Sequence, residues 1–183
     1  MKLTIMTDPR RVAAHYRREG TLLAFEIPSS LDAAELLRLA LNHARWPQRD
    51  CVLDLVVAHP ACDLPLLERV VELAEDSPSV LNTVATCGKA PPALLHRLAC
   101  SSSPSVREHA ELALVDHELR HADDEGIARL YHEHRDHPSW GYGLRYRLVI
   151  DPRTPRAVLQ SIASDHDPIG AQARRRLGQE ATG

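Results

Sequence analysis

Two stretches carry the same pattern. Val57-Ala58-His59-Pro60 leads through Pro65 into Leu66-Leu67-Glu68-Arg69, Leu73-Ala74 and Ser77-Pro78-Ser79-Val80. Val84-Ala85-Thr86-Cys87 then leads through Pro91-Pro92 into Leu94-Leu95-His96-Arg97, Leu98-Ala99 and Ser103-Pro104-Ser105-Val106. The two Val-Ala steps lie 27 residues apart and the two Ser-Pro-Ser-Val blocks 26 apart. A period of this size marks a stacked structural repeat, in which each unit buries its apolar face against its neighbours. Proline is tolerated at a helix start and excluded from its interior. Pro65 and Pro91-Pro92 therefore open the longer helix of each unit, and Ser77-Pro78 and Ser103-Pro104 open a second by a serine cap with proline in the first turn. The connections are short, so the spacing predicts one member of each pair as a short 3₁₀ turn.

The pattern extends outward in both directions. Leu148-Val149-Ile150-Asp151-Pro152-Arg153-Thr154-Pro155, with Val158-Leu159, Ile162-Ala163, Asp167-Pro168 and Ala171, writes the unit once more. Upstream, Ser30 or Asp32 starts the next helix, and Asp32-Ala33-Ala34-Glu35 fits a capping box. The helix it opens carries Leu36, Leu37, Leu39, Ala40 and Leu41, apolar over most of its circumference, and is expected between two neighbours until Trp46-Pro47 breaks it. Cys51 to Val57 begins the next apolar run. Residues 1–28 differ: Asp8-Pro9 caps a helix that stops at Gly20, between two short strand candidates at Lys2 to Met6 and Thr21 to Ile27, together read as an N-terminal cap. The expectation is one domain over 1–183, with a cap at 1–28, repeats at 29–114, an irregular His-rich insertion at 115–147, a final repeat at 148–178 and a tail at 179–183.

Ile150-Asp151-Pro152-Arg153-Thr154-Pro155 with Val158-Leu159 and Ile162-Ala163 resembles the leucine-rich repeat variant, a relative of HEAT-type α-solenoids whose units alternate an α-helix with a 3₁₀ helix. Val57-Ala58-His59-Pro60 and Val84-Ala85-Thr86-Cys87 are similar, with the Asn-Pro step blurred. The resemblance covers roughly residues 50–114 and 145–178. It implies an all-α, short right-handed solenoid acting as a binding scaffold without a shared ligand. A founding member resembles an iron–sulfur protein through a cysteine cluster ahead of its repeats; this chain has no such cluster, and no iron–sulfur role carries over.

Composition narrows the function classes. Of 183 residues, 44% are hydrophobic and only 4% aromatic, which predicts a core of Leu, Val and Ala. The formal charge of -3 disfavours a general nucleic-acid binder, which needs an excess of phosphate-neutralising cations. Lys occurs only at Lys2 and Lys89, so the positive charge is almost all arginine. Cys51, Cys62, Cys87 and Cys100 have no Cys-x-x-Cys spacing and no secretory run follows Met1-Lys2, so they are expected as small, mostly buried thiols of a cytoplasmic protein. No membrane span is expected.

Five of the 11 histidines fall in residues 115–147. His117-Glu118-Leu119-Arg120-His121 spells H-E-x-x-H, which on a helix puts two imidazoles on one face beside a carboxylate that can polarise zinc-bound water. It resembles the motif of zinc peptidases, although Arg120 charges a position those enzymes usually keep uncharged. His132-Glu133-His134-Arg135-Asp136-His137 resembles the first metal motif of the metallo-β-lactamase superfamily, but Gly126 to Tyr131 before it reads as helix, not strand, and helical repeats leave no room for that fold. A zinc hydrolase would use His117, His121 and Glu118 with a third ligand from His132, His134 or His137. The stretch ends in Pro138-Ser139-Trp140-Gly141-Tyr142-Gly143-Leu144-Arg145-Tyr146. Trp140, Tyr142 and Arg145 are candidate partner contacts, while Trp140 and Tyr146 as filling for a missing repeat is the competing reading. Arg174-Arg175-Arg176 is expected to complement a helix C-terminus.

The expected function is therefore non-catalytic capture of a protein partner, in concrete form a bacterial accessory or immunity-type protein that occludes a toxin or regulates an enzyme. A zinc hydrolase is the first alternative. A HEAT-like DNA binder, similar in architecture to the alkylpurine glycosylases, is the second.

Overall fold

The computed structural model describes residues 3–4, 25–45 and 47–180. The expected helix from Asp8-Pro9 to Gly20 lies outside them, as does Trp46. Leu3–Thr4 (β1) and Phe25–Glu26 (β2) pair as a two-residue parallel ladder, Leu3 opposite Phe25. Everything else regular among the described residues is α-helix: α1 Ala33–His43, α2 Arg49–Ala58, α3 Leu64–Leu73, α4 Pro78–Thr86, α5 Pro92–Ala99, α6 Pro104–His121, α7 Asp124–His134, α8 Gly141–Ile150, α9 Arg156–Ala163 and α10 Pro168–Glu180. The chain is thus all-α in class. It forms two compact units, Met1–Ala113 and Leu114–Gly183.

In the first unit, the helix starts are written in the side chains. Asp32 accepts from the Glu35 N–H at 2.8 Å while Glu35 accepts from the Asp32 N–H at 3.0 Å, the reciprocal box expected from the sequence. Asp63 caps α3 through the Leu66 N–H, and Ser77 caps α4 through the Val80 N–H, each with proline in the first turn. The apolar faces follow a common spacing: Val52, Leu53, Val56 and Val57 on α2, Leu66, Leu67, Val70 and Val71 on α3, Val80, Leu81, Val84 and Ala85 on α4, and Leu94, Leu95 and Leu98 on α5 are all buried. Positions i, i+1, i+4 and i+5 make one broad stripe, the width a helix needs when it meets a neighbour on either side. Accordingly α1 packs on both α2 and α3, and α2 on α3 and α4.

Polar bonds fix those same neighbours. Ser77 Oγ donates to Asp50 at 2.6 Å, joining the starts of α2 and α4, and the Asn82 amide donates to Ser105 Oγ at 2.9 Å, joining α4 to the first turn of α6. His59 is buried at the end of α2. The Ala61 N–H must donate to its Nδ1 and the Pro28 carbonyl can only accept from its Nε2, so the ring is the neutral Nε2–H tautomer.

The second unit is held the same way. Asp123 caps α7 through the Gly126 N–H and Asp167 caps α10 through the Gly170 N–H. Ile127, Leu130 and Tyr131 of α7, Leu144, Leu148 and Val149 of α8, Val158, Leu159 and Ile162 of α9, and Ile169 and Ala173 of α10 form its core. The Tyr131 hydroxyl meets Ser161 Oγ at 3.1 Å, so the largest of the fully buried side chains among the described residues has its polar tip satisfied. Helix α8 packs on α7, α9 and α10.

Four expectations are corrected. Both members of each helix pair are α-helices, with no 3₁₀ turn among the described residues, because connections of four or five residues suffice when a proline or a capping side chain starts the next helix at once. The first helix of each pair is not consistently the longer: α5 has 8 residues and α6 has 18. Residues 115–147 are not irregular; the end of α6, all of α7 and most of α8 occupy them, their apolar spacing diluted by His, Glu and Arg. Leu41 stands 44% exposed, so α1, although it packs on two neighbours, is not buried over most of its circumference.

Glycine positions look alike in sequence and differ in the fold. A Cβ on Gly170 would sit 2.1 Å from the Asp165 carbonyl oxygen, where α10 starts against the end of α9; a Cβ on Gly143, within α8, would meet nothing within 4 Å. Gly170→Ala is expected to destabilise by about 1–3 kcal/mol through this clash, and Gly143→Ala to stabilise by about 0.5–1 kcal/mol through helix propensity. Urea unfolding of the two variants beside wild type checks both signs.

Candidate functional site

The second unit gathers every candidate residue named from the sequence. His117 and His121 lie four residues apart in the last turn and a half of α6, which places their rings on one face with centroids 5.3 Å apart and planes tilted by 55°. They border an open groove of about 880 Å³ shared with Glu118, Asp123, Glu125, Gly126 and Arg129, between the end of α6 and the start of α7. Glu118 approaches Arg129 at 4.0 Å, both well exposed.

The other histidines do not join this pair. His132 contacts the edge of Tyr131. His137 stacks on Trp140 at 4.1 Å with the planes 18° apart, and His134 lies tilted against the same indole at 5.2 Å. Among the described residues no group of three or more His, Cys, Asp or Glu is placed to hold a metal ion. The third ligand that a zinc hydrolase would draw from His132, His134 or His137 is thus not assembled beside His117 and His121.

The three partner-contact candidates separate by burial. Trp140 is only 7% exposed and fills the corner between α7 and α8, its Nε1 buried without a hydrogen-bond partner. That burial matches the filling role weighed for it. The Arg145 side chain is 18% exposed and donates to Asp165 at 2.6 Å and Asp167 at 2.9 Å, tying α8 to the α9–α10 turn. Tyr142 is 54% exposed, with the Arg145 guanidinium 5.7 Å from its ring centre. Two residues the sequence did not single out as contacts join it: Tyr146 at 47% and Ile150 at 54% exposure follow at successive intervals of four along α8. Tyr146, weighed as filling, lies outside the core. The periodicity that identifies a buried stripe also describes this exposed one, and only the packing of α8 tells them apart.

The arginines are largely occupied. Arg153 donates to the Leu119 and Arg120 carbonyls at the end of α6, and Arg176 to Val149 at 2.8 Å and Asp151 at 2.7 Å at the end of α8. Arg174 reaches the Ala163 and Asp165 carbonyls past α9. The Arg174-Arg175-Arg176 run therefore supplies C-terminal caps, of the two preceding helices rather than its own. Arg147 pairs with Asp116, while burial pushes its guanidinium below its ordinary value.

Of the four cysteines, all free, only Cys62 is buried, and burial pushes its thiol up; Cys51 and Cys87 are half-buried and Cys100 exposed, fewer buried than expected. Among the described residues no helix is long and apolar enough to cross a membrane. No family model, no curated protein and no solved structure matches the chain.

Asp167 is held below the usual carboxylate range first by the Gly170 N–H and then by Arg145. An unfolded Asp binds its proton near pH 3.9, above the folded value, so the unfolded state carries more protons in the window between them. The stabilisation is then complete above about pH 5 and lost as the pH falls through the folded value. Asp167→Asn is expected to unfold at lower temperature than wild type at pH 7, with the gap shrinking below about pH 4. A gap constant from pH 7 to pH 2 contradicts this assignment.

Proposed function

We propose that this chain is a non-catalytic helical-repeat scaffold that binds a protein partner, with the exposed Tyr142, Tyr146 and Ile150 stripe of α8 as the contact. That stripe is the observation that carries the reading. Three large apolar side chains at 47–54% exposure line one face of a helix whose opposite face is core. Gly143 beside them leaves open space, so a partner's backbone can approach α8 closely. Tyrosine gives large contact area at small entropic cost and is enriched among residues that dominate binding energy. The partner surface that fits is itself apolar, because the neighbouring arginines are already neutralised: Arg145 by Asp165 and Asp167, Arg147 by Asp116 and Arg153 by Asp151.

The architecture we infer is a short right-handed α-solenoid related to leucine-rich-repeat-variant or HEAT units. It is supported by the recurrent Pro and Ser-Pro helix starts and by packing between helices two apart in order, α1 with α3, α2 with α4 and α8 with α10. A cytoplasmic bacterial accessory or immunity-type protein, occluding a toxin or tuning an enzyme, is the concrete form of this proposal.

The test is comparative capture from a lysate of the native host. Wild type, Tyr142→Ser/Tyr146→Ser/Ile150→Ser and the control Leu41→Ser are immobilised; all three are expected to stay folded, since exposed substitutions cost about 0.5 kcal/mol or less each. The reading requires a protein retained by wild type and Leu41→Ser and lost from the triple variant. Equal retention on all three, or none on wild type, overturns it.

A further inference from the structure

We infer that His117 and His121 form a two-nitrogen chelate for a borderline transition-metal ion of the zinc or copper class, with the remaining coordination positions filled by water. Three features of the groove carry the inference. The first is distance. Two imidazole nitrogens on one ion at about 2.0–2.1 Å, at a roughly tetrahedral angle, hold the ring centroids about 5 Å apart, and these lie at 5.3 Å. Little movement is needed to bring both rings onto one ion.

The second is rigidity. The pair sits at a helix end, where a terminal turn ordinarily frays and the i, i+4 geometry is lost. Here the Arg153 guanidinium holds the Leu119 and Arg120 carbonyls, both between the two histidines in sequence, at 3.1 Å each. Arg153 is itself fixed by Asp151 at 2.8 Å. The backbone that sets the ligand spacing is thus anchored from outside the helix.

The third is charge. Glu118, Asp123 and Glu125 line the groove against a single guanidinium, Arg129. Asp123 is engaged as the cap of α7, answering the positive end of that helix. The field therefore favours a cation, and the carboxylates can accept hydrogen bonds from metal-bound water. Imidazole selects zinc, copper and nickel over calcium and magnesium, which prefer oxygen cages. The site has two protein ligands, so it is open and exchangeable. The H-E-x-x-H string here is a chelate without the third ligand of a hydrolase.

Zinc chloride is titrated by calorimetry into the tag-free full chain, with cobalt(II) absorption as the coordination readout and calcium as the hard-cation control. His117→Ala, His121→Ala and the exposed His96→Ala are compared, each checked for unchanged helical circular dichroism. The expected result is one zinc per chain and no calcium heat, with binding weakened roughly 100-fold in either groove variant, because loss of one ligand removes the intramolecular second contact. His96→Ala is expected to bind as wild type does. No zinc binding by wild type, binding unchanged in both groove variants, or calcium bound as well as zinc overturns the inference. Should either alanine variant lose helicity, His117→Gln and His121→Gln, which keep polarity and approximate size, decide by the same criteria.

Discussion

Helix C-termini impose the constraint on which both units depend. A short helix leaves its last four carbonyls without partners inside the helix, and eight of the ten helices among the described residues have only 8 to 11 residues. Carbonyls that pack against a neighbour cannot all turn to water, and an unpaired buried one costs about 1–3 kcal/mol. A cation or hydroxyl from a later element meets them. Lys89 Nζ donates to Val57 at 2.9 Å and His59 at 2.6 Å, closing α2 from the turn after α4. Arg153 closes α6 from the turn after α8, and Arg176 closes α8 from within α10. Thr154 Oγ1 adds a bond to Leu148 at 2.6 Å. Each bond serves a local need of one helix and fixes the position of the element that supplies the donor.

This arrangement explains why local turn chemistry matters so much here. Gly88 takes a positive φ of 74° just past α4, the left-handed step with which many helices end. That step turns the chain so that the next residue, Lys89, points back at α2. The chain's other lysine lies at position 2, so the role played elsewhere by arginine forks falls here to a single ammonium. Its compact charge reaches two carbonyls that diverge around a helix end, where a planar guanidinium would favour a parallel pair.

Helix starts were legible in the sequence because their chemistry is local. Asp32 with Glu35 and Ser77 before Pro78 each act within three residues and appear in the structure as read, and Asp63, not singled out in the sequence, caps the helix that Pro65 marks in the same way. The ends of α2, α6 and α8 were not legible, because the cations that close them lie 24 to 34 residues away. Residues 115–147 looked irregular for a related reason. Gly126 to Tyr131 reads as helix, but Ile127, Leu130 and Tyr131 are too few among His, Glu and Arg to announce a packed unit, and the groups that receive them, Ser161 and α8, come later in the chain. The need for glycine at 170 was invisible as well, since the clashing Asp165 carbonyl belongs to a turn whose path depends on Arg145.

The candidate sites divide along the same line. The i, i+4 relation of His117 and His121 is a helical property and could be read directly. Burial of Trp140 could not, since the same stretch supplies both the indole that fills a corner and the tyrosines that leave it. What separates them is the register of α8. Leu144, Leu148 and Val149 face the core, and an interval of four like the one that places both leucines inside carries Tyr142, Tyr146 and Ile150 outside. Arg145, bonded to Asp165 and Asp167 in the turn before α10, ties that register in place. Burial of Leu144, Leu148 and Val149 sets which face of the helix is presented, and the charge pair adds direction to it. Leu144 and Leu148 lie on the far side of α8 from Tyr142 and Tyr146, so turning the tyrosines inward would carry the leucines toward solvent, and burial of the one and exposure of the other are a single structural choice.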